Sequence, residues 1–247
     1  MKIVFKNKGS GSAGQNFFSL MRDCNSLGYD YIAFSDQDDI WHPDKLSSGI
    51  KLLEESEASA YSSSASAFWP SGSKRILKQS NVQRSKDYLF EGAGQGCTFI
   101  LKNDFFSEIQ IFCQRNRFLT DQFYYHDWLV YILARSWNKV WAFDVHSFIE
   151  YRQHESNDTG ARKGIESIKN RVNLIANGWY KNQIGLAIQI AQIASGNHAN
   201  LSYIADLYSE KDSIRRRINL MIFVLMNGRR KLSDRFVLII AGALRWI

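Results

Sequence analysis

Apolar positions recur at helical spacing in Phe17, Leu20, Met21, Cys24 and Leu27, after a Gly/Ser stretch from Lys8 to Gly14 that reads as a loop. Ahead of that loop, Met1 to Phe5 reads as a short strand. A second strand is predicted over Asp30-Tyr-Ile-Ala-Phe-Ser35, which is β-prone and apolar enough to lie in a covered sheet, and it ends in Asp36-Gln-Asp-Asp39. Pro43 then opens a helix with Leu46, Ile50, Leu52 and Leu53 on one side. This β-loop-α-β-loop-α alternation predicts an α/β fold built on an open, mostly parallel sheet flanked by helices. Ligands bind such sheets at the carboxyl ends of the strands, and the acidic cluster lies at one of them.

Further along, Ala58 to Trp69 reads as a strand of small residues, Ser71 to Lys86 as a basic loop, and Gly96 to Leu101 as a strand after the flexible Gly92-Ala-Gly-Gln-Gly96. Helices are predicted over Phe105 to Cys113 and Asp127 to Trp137, and two short strands over Lys139 to Asp144 and Ser147 to Tyr151. Beyond Gly164 the pattern is helical to the end. Charge divides at the same point. Residues 1–164 hold 19 of the 31 Lys+Arg and 19 of the 24 Asp+Glu, so the net +7 falls wholly on residues 165–247, with 12 and 5. Two regions are therefore expected: a neutral α/β unit over 1–164 and a basic helical region over 165–247.

At 45% hydrophobic and 14% aromatic the chain is neither disordered nor fibrous. Its longest apolar runs, Ile218 to Met226 and Phe236 to Leu244, are about half of the roughly 20 residues a spanning helix needs. Cys24, Cys97 and Cys113 are widely spaced and form no CxxC pair, so they read as reduced, partly buried thiols.

Two constellations invite chemistry. Gly9-Ser-Gly-Ser-Ala-Gly14 satisfies the GxGxxG pattern between a strand and a helix, but a cluster of acids follows where one ribose-binding acid belongs, and a flexible loop with Ser12 capping the helix is the reading preferred. Asp36-Gln-Asp-Asp39 sets three carboxylates in four residues. Such crowding is costly unless a cation or hydrogen-bond donors balance it, which suits Mg²⁺ or Mn²⁺, while a solvated Asp-rich turn ahead of Pro43 is the alternative.

The run Phe34-Ser-Asp-Gln-Asp-Asp-Ile-Trp-His-Pro-Asp-Lys-Leu46 closely resembles the metal-site segment of bacterial family 2 glycosyltransferases, especially rhamnosyltransferases. Gly14-Gln-Asn-Phe17, Gly96-Cys-Thr-Phe-Ile100, His126-Asp-Trp128 and Tyr151-Arg-Gln-His-Glu-Ser-Asn157 fall in the family's order. The resemblance implies a GT-A fold and inverting transfer of a sugar, rhamnose or a related deoxysugar, from a nucleoside-diphosphate donor of the dTDP-rhamnose kind. The acceptor it implies is a lipid-linked saccharide of a growing cell-surface polysaccharide. Asp38 matches the cation ligand and Asp36 the residue that binds the donor's ribose or the cation's water shell. His154 matches a third ligand or diphosphate contact, with Arg152 beside it as a phosphate partner. Asp127 matches the general base. As residues alone, His154 reads as a surface-loop histidine, and Asp127 equally as an acid favoured by a helix dipole, with His126 as its cap. Trp41, Trp128 and Gly96 are candidate acceptor contacts, although either Trp also suits a core.

Enzymes of this family begin with a nucleotide-holding strand and loop and a second strand ending in an acidic pair. This chain is expected to lack those first two β/α units, which leaves a catalytically inactive remnant that binds a partner or membrane as the rival expectation. The last third carries Arg215-Arg-Arg217, Arg229-Arg-Lys231, Arg235 and Arg245, with Ile214, Ile218, Met221, Ile222 and Leu225 on one helical face. It reads either as a peripheral attachment to an anionic membrane, on the cytoplasmic face, or as a helical cap with a solvated basic side. Nucleic acid is not expected, since the aromatics do not interleave with the cations.

Overall fold

The computed structural model describes residues 11–78, 82–153, 173–196, 199–208, 213–244 and 246–247. The strand expected at Met1 to Phe5, the first two residues of the GxGxxG loop, His154, the boundary at 164 and Arg245 lie outside them.

Helix α1 (Ala13–Asp23) starts at Ser12, whose hydroxyl accepts the Gln15 N–H, so Ser12 is the helix cap that the loop pattern allowed. Strands β1 (Tyr31–Ala33) and β2 (Ile40–Trp41) flank the acidic turn, and α2 (Lys45–Glu55) follows Pro43. Next come β3 (Ala60–Phe68), β4 (Lys74–Leu77), β5 (Ile100–Lys102), α3 (Asn103–Arg115), the short α4 (Arg117–Thr120), α5 (His126–Ser136) and β6 (Trp141–Arg152). The C-terminal region is helical in α6 (Trp179–Ser195), α7 (Ala199–Leu207), α8 (Ile214–Asn227) and α9 (Leu232–Ala243). The class is the expected one, a GT-A-like α/β fold followed by helices.

The strand pairing corrects the expectation of a mostly parallel sheet. The order is β1-β5-β3-β6-β2, with β4 on β3, and among these ladders β3–β6 alone is parallel. The physical reason is β5, which runs against both β1 and β3 and separates two strands that point the same way. Local pattern fixes strand direction through the α2 crossover but says nothing of a later strand slipping between. Consequently β1, β3 and β6 still end at one edge, and the acidic turn leaves β1 there.

Two element boundaries also differ. The two strands expected over Lys139 to Asp144 and Ser147 to Tyr151 are one, β6. Ser63 pairs with Asp144 and Ser64 with Ser147, so Val145 and His146 bulge out of a continuous ladder. The segment read as a basic loop contains β4, held to β3 from Ala65 to Phe68.

Strand β3 is buried over Ala60–Ala67, which explains its small side chains: elements close on both of its faces. Ser62 donates to the Ala93 carbonyl and accepts from the Trp141 indole N–H, so its buried hydroxyl is satisfied. The main core joins α1, α3 and α5 to apolar residues of α6–α9, among them Ile184, Leu220, Val224 and Leu238. Two of the arginines expected on a basic outer surface turn inward. Arg230 is paired with the fully buried Asp87 at 3.2 Å and donates to the Gly92 carbonyl at 2.6 Å, and Arg229 meets Glu91 at 3.3 Å. No helix among the described residues is long and apolar enough to cross a membrane.

Candidate active site

Asp127 lies in the first turn of α5, where backbone N–H groups point out of the helix end. Its carboxylate accepts the Trp128 N–H at 2.7 Å and the Gly96 N–H. Burial, reinforced by the charge of Asp36, pushes its pKa up to about 7. Two carboxylates 91 positions apart in sequence thus share one electrostatic neighbourhood.

His126 is the first residue of α5 and makes no capping bond; Tyr125 occupies the cap position. Its ring stacks on Phe17 with centroids 4.0 Å apart, its Nε2 is buried without a hydrogen-bond partner, and burial holds its pKa down near 3. The imidazole is therefore neutral. A Cβ at Gly96 would sit 2.3 Å from that Nε2, so the glycine exists to let the ring in.

These contacts explain the Gly14-Gln-Asn-Phe17 motif. A Cβ at Gly14 would meet the Tyr124 carbonyl oxygen, Gln15 donates to the Asp121 carbonyl at 3.0 Å, and Phe17 carries the His126 ring. The motif seats the segment leading into α5. It fixes where Asp127 begins.

The acidic turn converges from beside α5. Ligand atoms of Asp36, Asp39 and Cys97 all lie within 4.8 Å of one another. Asp36 is pushed up to about 6, mainly by burial and then by the charges of Asp39 and Asp38. Burial also raises Asp39, against the opposing hydrogen bonds from the Cys97 thiol and the Arg152 backbone. The buried Cys97 thiol is held well above its ordinary value by desolvation and by both carboxylates. All three cysteines are unpaired thiols.

Of the expected residues, the structure brings Asp36 and Asp127 together. Asp38 is half-buried in the same turn, but Asp39 takes its place in the converging trio. Arg152 closes the turn: its N–H donates to the Asp39 carboxylate at 3.2 Å and its Nε to the Asp38 carbonyl at 3.0 Å, with the guanidinium 4.9 Å over Phe68. Two acceptor candidates are corrected. Trp128 is 4% exposed and its indole donates to the Tyr88 carbonyl at 2.7 Å, which makes it a core residue with no open face for a sugar. Gly96 is buried under His126. Trp41 remains partly exposed, but its ring is covered by the Lys45 ammonium at 3.5 Å.

Sequence reasoning gave no site role to Cys97, Lys45 or Tyr151, and named Asp39 only as a member of the acidic cluster. Burial pulls Lys45 down to about 8, against the opposing influence of Cys97 and Asp39. The Tyr151 hydroxyl is raised by burial and then by Cys97, Asp36, Asp39 and Asp127, so it borders both the turn and the α5 carboxylate. A signal existed in the motifs themselves, since Lys45, Cys97 and Tyr151 each lie within one.

A GT-A-like α/β fold with an acidic turn at the strand ends, facing a partly buried carboxylate on a helix N-terminus, defines the class of site. No family profile matches the chain. Over 225 residues, 88% of this chain and 78% of the relative, it is 34% identical to the dTDP-rhamnosyl transferase RfbG of Shigella flexneri. The chain belongs to the rhamnosyltransferase-type glycosyltransferases.

Proposed function

We propose that the protein is an inverting, metal-dependent family 2 glycosyltransferase that moves rhamnose from a dTDP-rhamnose-like donor to a hydroxyl of a lipid-linked saccharide in cell-surface polysaccharide synthesis. The observation that supports this most is Asp127. A carboxylate held near 7 is matched to accepting a proton from a sugar hydroxyl at neutral pH. As the acceptor oxygen attacks the anomeric carbon, its proton passes to Asp127, and the bond to the donor's β-phosphate breaks with its electron pair on the diphosphate. The neutral His126 and the Gly96 N–H keep the base in place.

Carboxylate oxygens are the ligands that Mg²⁺ and Mn²⁺ favour, and the turn carries a buried Asp39 Oδ2 without a hydrogen-bond partner, so the residues fit such a cation. Asp36 and Asp38 of the turn would hold it, with His154 as a further ligand, and it would supply charge stabilisation for the departing diphosphate. Arg152, tied to both Asp38 and Asp39, orients the turn toward the donor.

The basic region attaches the enzyme peripherally to the cytoplasmic face of an anionic membrane, where a lipid-linked acceptor is presented. Ile214, Ile218, Ile222 and Leu225 of α8 and Leu232, Phe236, Ile240 and Leu244 on and beyond α9 are exposed, opposite the sides these helices bury, with exposed Arg215 and Lys231 near them. Apolar stripes flanked by cations suit the interfacial plane of a bilayer. The test of the catalytic reading is sugar transfer from dTDP-rhamnose with Mn²⁺, comparing wild type with Asp38→Ala and Asp127→Ala. Both variants are expected to lose at least a hundredfold; transfer independent of either acid overturns the reading.

A further inference from the structure

Lys45 stands where electrostatics disfavours a cation. It is the first residue of α2, at the positive end of the helix dipole, and no acidic residue shares that first turn. It is 1% exposed, and its Nζ has no hydrogen-bond partner. A desolvated, unpaired ammonium is among the costliest placements a side chain can have. The ring face of Trp41 at 3.5 Å offsets only part of that cost.

The surroundings supply a reason. Asp39 and Cys97 lie within electrostatic reach of the ammonium, and both belong to the trio at the acidic turn. Asp39 Oδ2 is likewise buried without a hydrogen-bond partner. A buried positive group and a buried negative oxygen, each unsatisfied by hydrogen bonds, thus balance each other through space at the floor of the turn.

We propose that Lys45 is the internal counter-ion of the acidic turn, a positioning residue that balances Asp39 and, by competing with a divalent cation, sets how tightly the turn binds one. This rests on the metal reading above. Lys45 touches no substrate and is not a catalytic residue. Its retention lets the turn assemble without metal and release it readily.

The test is calorimetric titration of Mn²⁺ alone into the full chain, with no donor or acceptor, beside thermal unfolding without metal. Lys45→Met keeps most of the side-chain volume and removes the charge. Lys45→Gln removes the charge but retains hydrogen-bonding capacity, and guards against a packing artefact of the first variant. Both are expected to bind Mn²⁺ at least tenfold more tightly than wild type, with thermal midpoints below wild type in the absence of metal, because Asp39 Oδ2 is left without its counter-ion. Affinities less than tenfold tighter than wild type overturn the inference, and so do midpoints equal to or above wild type in both variants, because removing the counter-ion of a buried carboxylate destabilises the empty fold. A wild type that binds no Mn²⁺ overturns the metal reading and this inference with it, whereas a wild type that binds and variants that match it overturn this inference alone.

Discussion

Replacing Asp127 with Asn removes a carboxylate whose ionisation the fold resists. Burial and the charge of Asp36 lift its pKa from 3.8 to about 7, so between those values the folded chain keeps a proton that the unfolded chain has lost. The stability this contributes is complete below the unfolded value and is lost as pH rises through the folded one. At 1.36 kcal/mol for each tenfold change, the gap sets a ceiling of about 4 kcal/mol, and because the side chain is only partly buried, screening by water brings the expected figure to about 2 kcal/mol. For a chain of this size about 2 kcal/mol is roughly 4–8 °C in thermal midpoint. Asp127→Asn can still accept the Trp128 and Gly96 N–H groups through its amide oxygen, so it should match wild type near pH 4 and exceed it by that margin at pH 8. Most of the divergence falls between pH 5 and 7. Thermal unfolding across this range measures it, with transfer activity followed in parallel and expected to fall by 10²–10⁴ above pH 7, the gap narrowing at lower pH as wild-type Asp127 takes up its proton. A difference between the two chains that is flat with pH would refute the reasoning.

Two other perturbations separate packing from chemistry. Gly96→Ala drives a Cβ to 2.3 Å from a ring already stacked on Phe17; it should cost about 1–3 kcal/mol and lower kcat more than it raises KM for the donor, and wild-type stability and kcat would contradict the placement of His126. The double substitution Ile218→Glu and Phe236→Glu adds charge to two exposed apolar positions and should reduce flotation with anionic phosphatidylglycerol vesicles at least tenfold while circular dichroism stays unchanged; undiminished flotation would rule out this face as the attachment.

The helices were legible wherever one face is apolar. The spacing of Phe17 and Met21 in α1, and of Phe105, Ile109 and Phe112 in α3, places each on a buried side. Strand order was not legible, because the insertion of β5 between β1 and β3 is decided by pairing partners far apart in the chain. The bulge at Val145 and His146 made one strand look like two. At the site, Asp36 and Asp127 were found through the motifs around them. Lys45 was not, since a lysine in a first helical turn reads as solvated, and the burial of its ammonium comes from Trp41 and the sheet beyond. The arginines at 229 and 230 misled for the mirror-image reason: a run of cations in sequence says nothing about the acids folded against it.

Those inward arginines bear on how such enzymes are recombined. Arg230, in the turn of the helical hairpin formed by α8 and α9, and Arg135 of α5 grip the same buried Asp87 carboxylate, Arg135 at 2.8 Å, with the Tyr131 hydroxyl donating to it as well. A hairpin borrowed from another transferase, as one might graft to redirect an enzyme to a new surface, would leave that carboxylate short of a cation unless it brought its own guanidinium at position 230. The unit that must travel in such a graft is therefore the hairpin together with the 84–92 loop, and the helical region that looks detachable on paper is linked through Asp87 to the helix that carries Asp127.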